Sequence, residues 1–125
     1  MTENELSYKI IGAALEVHKT LGVGLLESAY EVALAYELRE LGFEVKSQVV
    51  LSLKYKSEVI DNAYRVDLIV EDKVIIEVKS VLEINPISYS QILTYLKLTN
   101  IKLGLLINFN TPLIKDGIHR IVNKL

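Results

Sequence analysis

The sequence predicts a single-domain α/β fold, one mixed central β-sheet flanked by helices, and three observations carry that prediction. Apolar residues recur every three or four positions up to Leu41, then every second position from Phe43 to Tyr55. Val74–Phe109 reads strand, helix, strand, and the last strand is apolar almost throughout, as in a parallel pair covered on both faces. The chain has 125 residues, 50% hydrophobic and 24% charged, enough for one core and too few for two ordinary domains.

The elements follow in order. Thr2-Glu-Asn-Glu5 has the form of a capping box and opens a first helix, whose stripe is Leu6, Ile10, Ala14, Val17 and Leu21. Gly22 and Gly24 stop it. A second helix runs from Leu26 to Leu41 with Tyr30, Leu34, Leu38 and Leu41 on one face, and Gly42 ends it. Phe43, Val45, Val49, Leu51, Leu53 and Tyr55 alternate with polar residues as a half-buried strand. Lys56-Ser57 turns into a short strand, Glu58–Ile60, and Asp61-Asn62 breaks the chain again. Tyr64–Val70 and Val74–Lys79 are two further strands around Glu71-Asp72-Lys73. Asn85-Pro86 caps a helix that runs to Thr99, and Ile101–Phe109 is the covered strand of a right-handed parallel crossover. After Thr111-Pro112, Leu113–Val122 reads as a short amphipathic helix.

Composition excludes several classes. Without cysteine there are no disulfides, thiolate zinc sites or cysteine nucleophiles, and His18 and His119 alone do not build a histidine metal cluster. The longest strongly apolar stretch, Leu103–Ile107, falls far short of the roughly 20 residues of a membrane span. Met1-Thr-Glu-Asn-Glu5 lacks the basic start of a signal peptide, so a soluble cytoplasmic protein without membrane contact is expected. There is neither a GxSxG elbow nor a P-loop, and Gly22-Val-Gly24 lies between helices rather than at a strand-to-helix phosphate turn. The net charge of −2 hides a split: residues 1–44 carry eight acids and three bases, residues 45–125 eight acids and eleven bases. A polyanion facing the second half fits that asymmetry. Lys115, His119, Arg120 and Lys124 make the C-terminal segment basic, either for phosphate contact or as an ordinary solvated face. His18, Tyr30 and Tyr95 read as structural residues.

The chemistry concentrates in Tyr64–Lys79. With Glu71, Asp72 and Lys73 as a three-residue loop, Val70 pairs with Val74, Leu68 with Ile76 and Asp67 with Glu77. Val66, Leu68, Val70, Val74, Ile76 and Val78 then line one face, and Arg65, Asp67, Glu77 and Lys79 the other. Carboxylates directly opposite on a sheet repel one another, and a divalent cation between them reverses the sign. Oxygen-only ligation favours Mg²⁺ first and Mn²⁺ next. Lys79, two residues past Glu77, can hold an attacking water or a phosphate oxygen, which outlines metal-assisted phosphodiester hydrolysis. The alternative is a solvated face with Arg65–Glu77 and Asp67–Lys79 as ion pairs. Ile69 and Ile75 on the same face favour a covered, partly desolvated site. Glu27 extends the stripe of Tyr30 and Leu34, although a helix N-terminus favours an acid in any case; Glu31, Glu37 and Glu40 read as solvated. Gln91 shares a helical face with Ile87, Tyr95 and Leu98, where it either orients the lysine or water or bonds to backbone. Arg65 can contact phosphate or pair with a nearby acid.

Gly24-Leu-Leu-Glu27-Ser-Ala-Tyr30 resembles the motif of the bacterial and archaeal GxxExxY proteins, a group assigned to the PD-(D/E)XK nuclease superfamily. The resemblance spans nearly the whole chain through Val17-His18, Tyr64-Arg-Val-Asp67, Ile76-Glu77-Val-Lys79, Gln91 with Tyr95-Leu-Lys97, and Gly104-Leu-Leu-Ile-Asn-Phe109. Val23 stands where the family usually has proline. The resemblance implies a restriction-endonuclease-like core over residues 1–125, with Asp67 and Glu77 as metal ligands and Lys79 as the catalytic lysine. It also implies that Glu27 completes the acidic site and that Gln91 faces it from the following helix. The expected function is Mg²⁺- or Mn²⁺-dependent hydrolysis of DNA or RNA, with Arg65, Lys115 and Arg120 as candidate nucleic-acid contacts. One alternative is a non-catalytic nucleic-acid-binding or protein-interaction module that keeps the fold; another is a purely structural homodimer built on an exposed sheet edge, whose interface covers the charged face.

Overall fold

The computed structural model describes residues 1–125. Helix α1 (Glu3–Leu21) starts at the expected capping box: Thr2 accepts from the Glu5 N–H, and the Glu5 carboxylate accepts from the Thr2 N–H. It ends at Gly22, whose φ of 71° is a conformation that only glycine adopts without strain. Helix α2 (Glu27–Glu40) buries Tyr30, Leu34, Ala35 and Leu38. Leu21 and Leu41, each the last member of a stripe in sequence, are exposed because the helices end there.

One five-stranded sheet follows in the spatial order β1-β2-β3-β4-β5. Its strands are β1 (Val45–Tyr55), β2 (Glu58–Val70), β3 (Val74–Lys79), β4 (Leu103–Asn108) and β5 (Ile118–Val122), and helix α3 (Ile87–Thr99) connects β3 to β4. β3 and β4 pair parallel, and every other pair is antiparallel. The mixed α/β sheet expected from the sequence is therefore present. The cap of α3 falls one residue later than expected, at Pro86, and Asn85 just before it accepts from the Ile87 N–H at 3.1 Å in a local turn.

The sheet separates two cores. Helices α1 and α2 cover one face, over Leu68, Val70, Ile76, Val78, Leu105 and Ile107. Helix α3 covers the other, where Ile92, Tyr95 and Leu96 meet Val66, Ile69, Ile75 and Leu106. α3 lies close to β4: a Cβ built on Gly104 would stand 2.5 Å from the Ile92 side chain. All six residues of β4 are buried, as its unbroken apolar run requires.

Two expected elements differ. Glu58–Ile60 and Tyr64–Val70 form one strand, and Asp61-Asn62 is an irregularity within it, where the β1–β2 register shifts and Asn62 takes a φ of 54°. Leu113–Val122 is not an amphipathic helix. A short 3₁₀ turn, Ile114–Gly117, leads into β5. β-branched Ile118, Ile121 and Val122 are suited to strand, and they pair with β4, which would otherwise be left as an unpaired edge.

Candidate active site

The central hairpin closes as its sequence predicts. Val70 pairs with Val74, Ile69 with Ile75 and Leu68 with Ile76, around a turn in which Glu71 and Asp72 both take positive φ. There the ladder stops. Asp67 and Glu77 are not a ladder pair; instead each carboxylate caps an N–H of the opposite strand. The Asp67 N–H donates to Glu77 Oε1 at 3.0 Å, and the Val78 N–H donates to Asp67 Oδ2 at 2.8 Å. The acids thus satisfy backbone donors that the parting strands leave free.

At the same level the faces of β1 and β2 exchange. Val66 packs under α3 although Leu68, two residues on, packs under α1 and α2, so the single apolar face expected from Val66 to Val78 is broken. β1 shows the same exchange, with Val45 in the first core and Val49 and Leu51 against the second. Gln48, at φ 52°, lies between them. Its paired neighbours, Ser47 with Leu68 and Val49 with Val66, keep the register, which places Gln48 opposite Asp67.

Above this point, α2 contributes two acids one turn apart. Glu27, Ser28, Glu31, Gln48 and Asp67 line a cleft of about 200 Å³. The helix is held in place through Tyr30, whose ring stacks on Phe109 with centroids 4.6 Å apart. The Tyr30 hydroxyl donates to the Gly22 carbonyl at 2.6 Å and accepts from the Leu25 N–H at 3.2 Å. Ser80, just past β3, donates to the Leu25 carbonyl at 2.7 Å, so the loop before α2 is tied to the strand that carries Glu77 and Lys79.

The electrostatics are those of acids whose burial and mutual repulsion outweigh the hydrogen bonds and the Lys79 charge near them. Burial, and then the Asp67 charge, push the Glu77 carboxyl up to about 8. Burial followed by the Asp67 charge also raises Glu31, to about 7. Tyr95, buried and edge-on to Tyr64 at 5.6 Å, is raised to about 12 by burial and by the charges of Glu77 and Asp67. The ion pairs of the alternative reading, Arg65–Glu77 and Asp67–Lys79, are absent. The only ion pairs in the chain join Lys46 to Glu44 and Asp72.

The other sequence-selected residues separate into groups. Glu27 lines the cleft, and Lys79 is half-buried without a side-chain hydrogen bond or ion pair. Gln91 is exposed on α3, one turn before Tyr95, because the buried face of that helix is Ser88, Ile92, Tyr95 and Leu96. Arg65 and Lys115 are exposed, and Arg120, on β5, donates to Asn4 Oδ1 at 2.8 Å. His18 is structural, with Nε2 2.8 Å from the Thr111 carbonyl. Glu31 and Gln48 escape the sequence reading. Glu31 lies one turn beyond Glu27 and shares its face, which is the signal that could have found it; Gln48 has no such signal. A third omission is Asn108, buried at the end of β4, which bonds both the N–H and the carbonyl of Val81 and so holds the segment leaving β3.

Acids at a break in a central hairpin, an ExK tripeptide on the second strand and a parallel crossover behind it define a nuclease-type α/β domain. A sequence model of the PD-(D/E)XK nuclease superfamily matches residues 4–121, and the chain belongs to that superfamily. No curated protein and no solved structure matches it. Nucleases of the superfamily generally use divalent metals. The donor set here fits such an ion chemically: it is all oxygen, and Glu77 Oε2 and the Glu27 carboxylate make no hydrogen bond to protein. No three of these acids are gathered around one point. No helix is long and apolar enough to cross a membrane.

Proposed function

We propose that this protein hydrolyses phosphodiester bonds of DNA or RNA with a divalent cation, Mg²⁺ or Mn²⁺. The observation that carries the reading is the meeting of Asp67 and Glu77 at the end of a ladder with no cationic side chain in ion-pair contact. Asp67 and Glu77 would hold the ion, and Glu27 and Glu31, which line the cleft from α2, would be the nearest further oxygen donors once the acids close on it. When bound, the ion offsets charge on the phosphate and lowers the pKa of a coordinated water. Lys79 has an uncommitted ammonium on the Glu77 strand and orients the attacking water or a phosphate oxygen. Tyr95 stays protonated at neutral pH and is a donor beside the acids rather than a base. Gln91, exposed one turn away, meets the substrate at the rim, and Arg65 and Lys115 offer phosphate contacts. Arg120 contributes less, since it already bonds Asn4.

Incubation of the purified protein with DNA and RNA in Mg²⁺ or Mn²⁺ tests this, with Asp67→Ala and Lys79→Ala alongside. The expected result is cleavage by wild type and its loss in both variants. Equal cleavage by all three would trace the activity to a contaminant. Nucleic-acid binding without cleavage would identify a non-catalytic module on this fold.

A further inference from the structure

We propose that Gln48 is a positioning residue of this site: its side-chain amide seats the Glu31 carboxylate beside Asp67. The proposal rests on the reading of the site as a divalent-cation centre. Gln48 lies within β1 and yet takes φ 52°, a left-handed conformation that a non-glycine residue leaves unless its surroundings hold it there. The distortion is confined to one residue, because Ser47 and Val49 keep their partners Leu68 and Val66. Its result is a specific aim. Gln48 Nε2 donates to Glu31 Oε1 at 2.6 Å and reaches Asp67 Oδ1 at 3.4 Å.

Glu31 belongs to α2 and Asp67 to β2; their carboxyl groups lie within hydrogen-bond reach of one another, and the Gln48 amide donates to both. The residue type matters as much as the place. A lysine or arginine here would neutralise the carboxylates and fill the cleft with its own charge. A neutral amide fixes one oxygen of Glu31 and leaves the negative charge available to an incoming ion. Strain in the strand thus coincides with an amide that offsets part of the repulsion between Glu31 and Asp67.

Direct Mn²⁺ titration of wild type, Gln48→Met and Gln48→Gly, by calorimetry or by the loss of free-ion paramagnetic signal, tests the role. Methionine keeps the length and removes the donors; glycine also removes the left-handed strain. Both variants are expected to bind Mn²⁺ about tenfold more weakly. Gln48→Gly should melt, without metal, at or above the wild-type temperature, which a purely structural glutamine would not allow. Wild-type affinity in both variants overturns the proposal and leaves the site standing. A lowered melting temperature in Gln48→Gly with unchanged affinity overturns it in favour of a structural role. A wild type that binds no Mn²⁺ overturns the cation reading itself, and this proposal with it.

Discussion

The two ends of the β2–β3 hairpin both carry acids and treat them in opposite ways. Around the turn, Asp72 and Glu44 reach the Lys46 ammonium at 2.9 and 3.8 Å, and all three side chains are at least half exposed. At the open end, Glu77 is only 8% exposed, Asp67 is half-buried beside it, and no cation lies within ion-pair distance. A contacting counter-charge is thus supplied where water already screens the acids, whereas at the buried end Lys79 only partly offsets Glu77 from beyond ion-pair distance. Such an arrangement destabilises the chain on its own and is typical of sites built for a ligand of opposite charge.

The comparison can be broken at either end. The largest effect expected is on chemistry: Asp67→Asn should cut Mn²⁺-dependent cleavage by about a hundredfold or more, with the melting temperature retained, since the ion's charge stabilisation is worth several kcal/mol. Undiminished cleavage would put the two ends on equal terms. Next comes stability. Glu77 has a carboxyl raised from 4.5 unfolded to about 8 folded, so the native state binds the extra proton. Its contribution is therefore full below about pH 4.5 and is lost as pH rises toward 8. In chelator, Glu77→Gln should be more stable than wild type at pH 8 by on the order of 4 kcal/mol, with the gap closing toward pH 5, as measured by urea denaturation. A constant gap would show that burial of charge is not the cause.

Mn²⁺ should act in the opposite direction. It should raise the wild-type melting temperature more at pH 8 than at pH 6, because ionised carboxylates are the ligands; saturation a hundredfold above Kd corresponds to about 2.7 kcal/mol. Equal shifts at both pH values would separate metal binding from Glu77. The smallest effect belongs to the turn: Asp72→Asn, which breaks the 2.9 Å contact to Lys46, should change stability by no more than about 1 kcal/mol and leave cleavage unaltered.

Local signals carried most of the fold. The Thr2–Glu5 capping box, the Asn85-Pro86 start of α3, the register from Val70↔Val74 to Leu68↔Ile76 and the β3-α3-β4 crossover each depend on residues close in sequence or on simple alternation. Legibility failed where tertiary pairing decided the outcome. Leu113–Val122 has helix-compatible spacing, but the free edge of β4 recruits its second half as β5. Of the candidate site, the hairpin count brings Asp67 and Glu77 to one level, although each caps an opposite N–H and they are not a ladder pair. Glu27, expected to extend the buried stripe of Tyr30 and Leu34, is exposed at the cleft. Strict alternation gave the wrong partner for Val66, because both strands exchange faces at one level and period-two counting cannot see such a break. Glu31 was missed for the related reason that it looks like one more acid on a polar helix until the sheet beneath it is known.

Gln48 also bears on how the molecule meets its copies. β1 forms one margin of the sheet, where an unbroken row of main-chain donors and acceptors would act as a template for another chain. The left-handed Gln48 and the register shift between Leu51 and Leu53 both break the regularity of that row. Irregularities of this kind are a common means by which edge strands avoid pairing with other chains, and here one of them falls at the residue whose amide reaches Glu31 and Asp67.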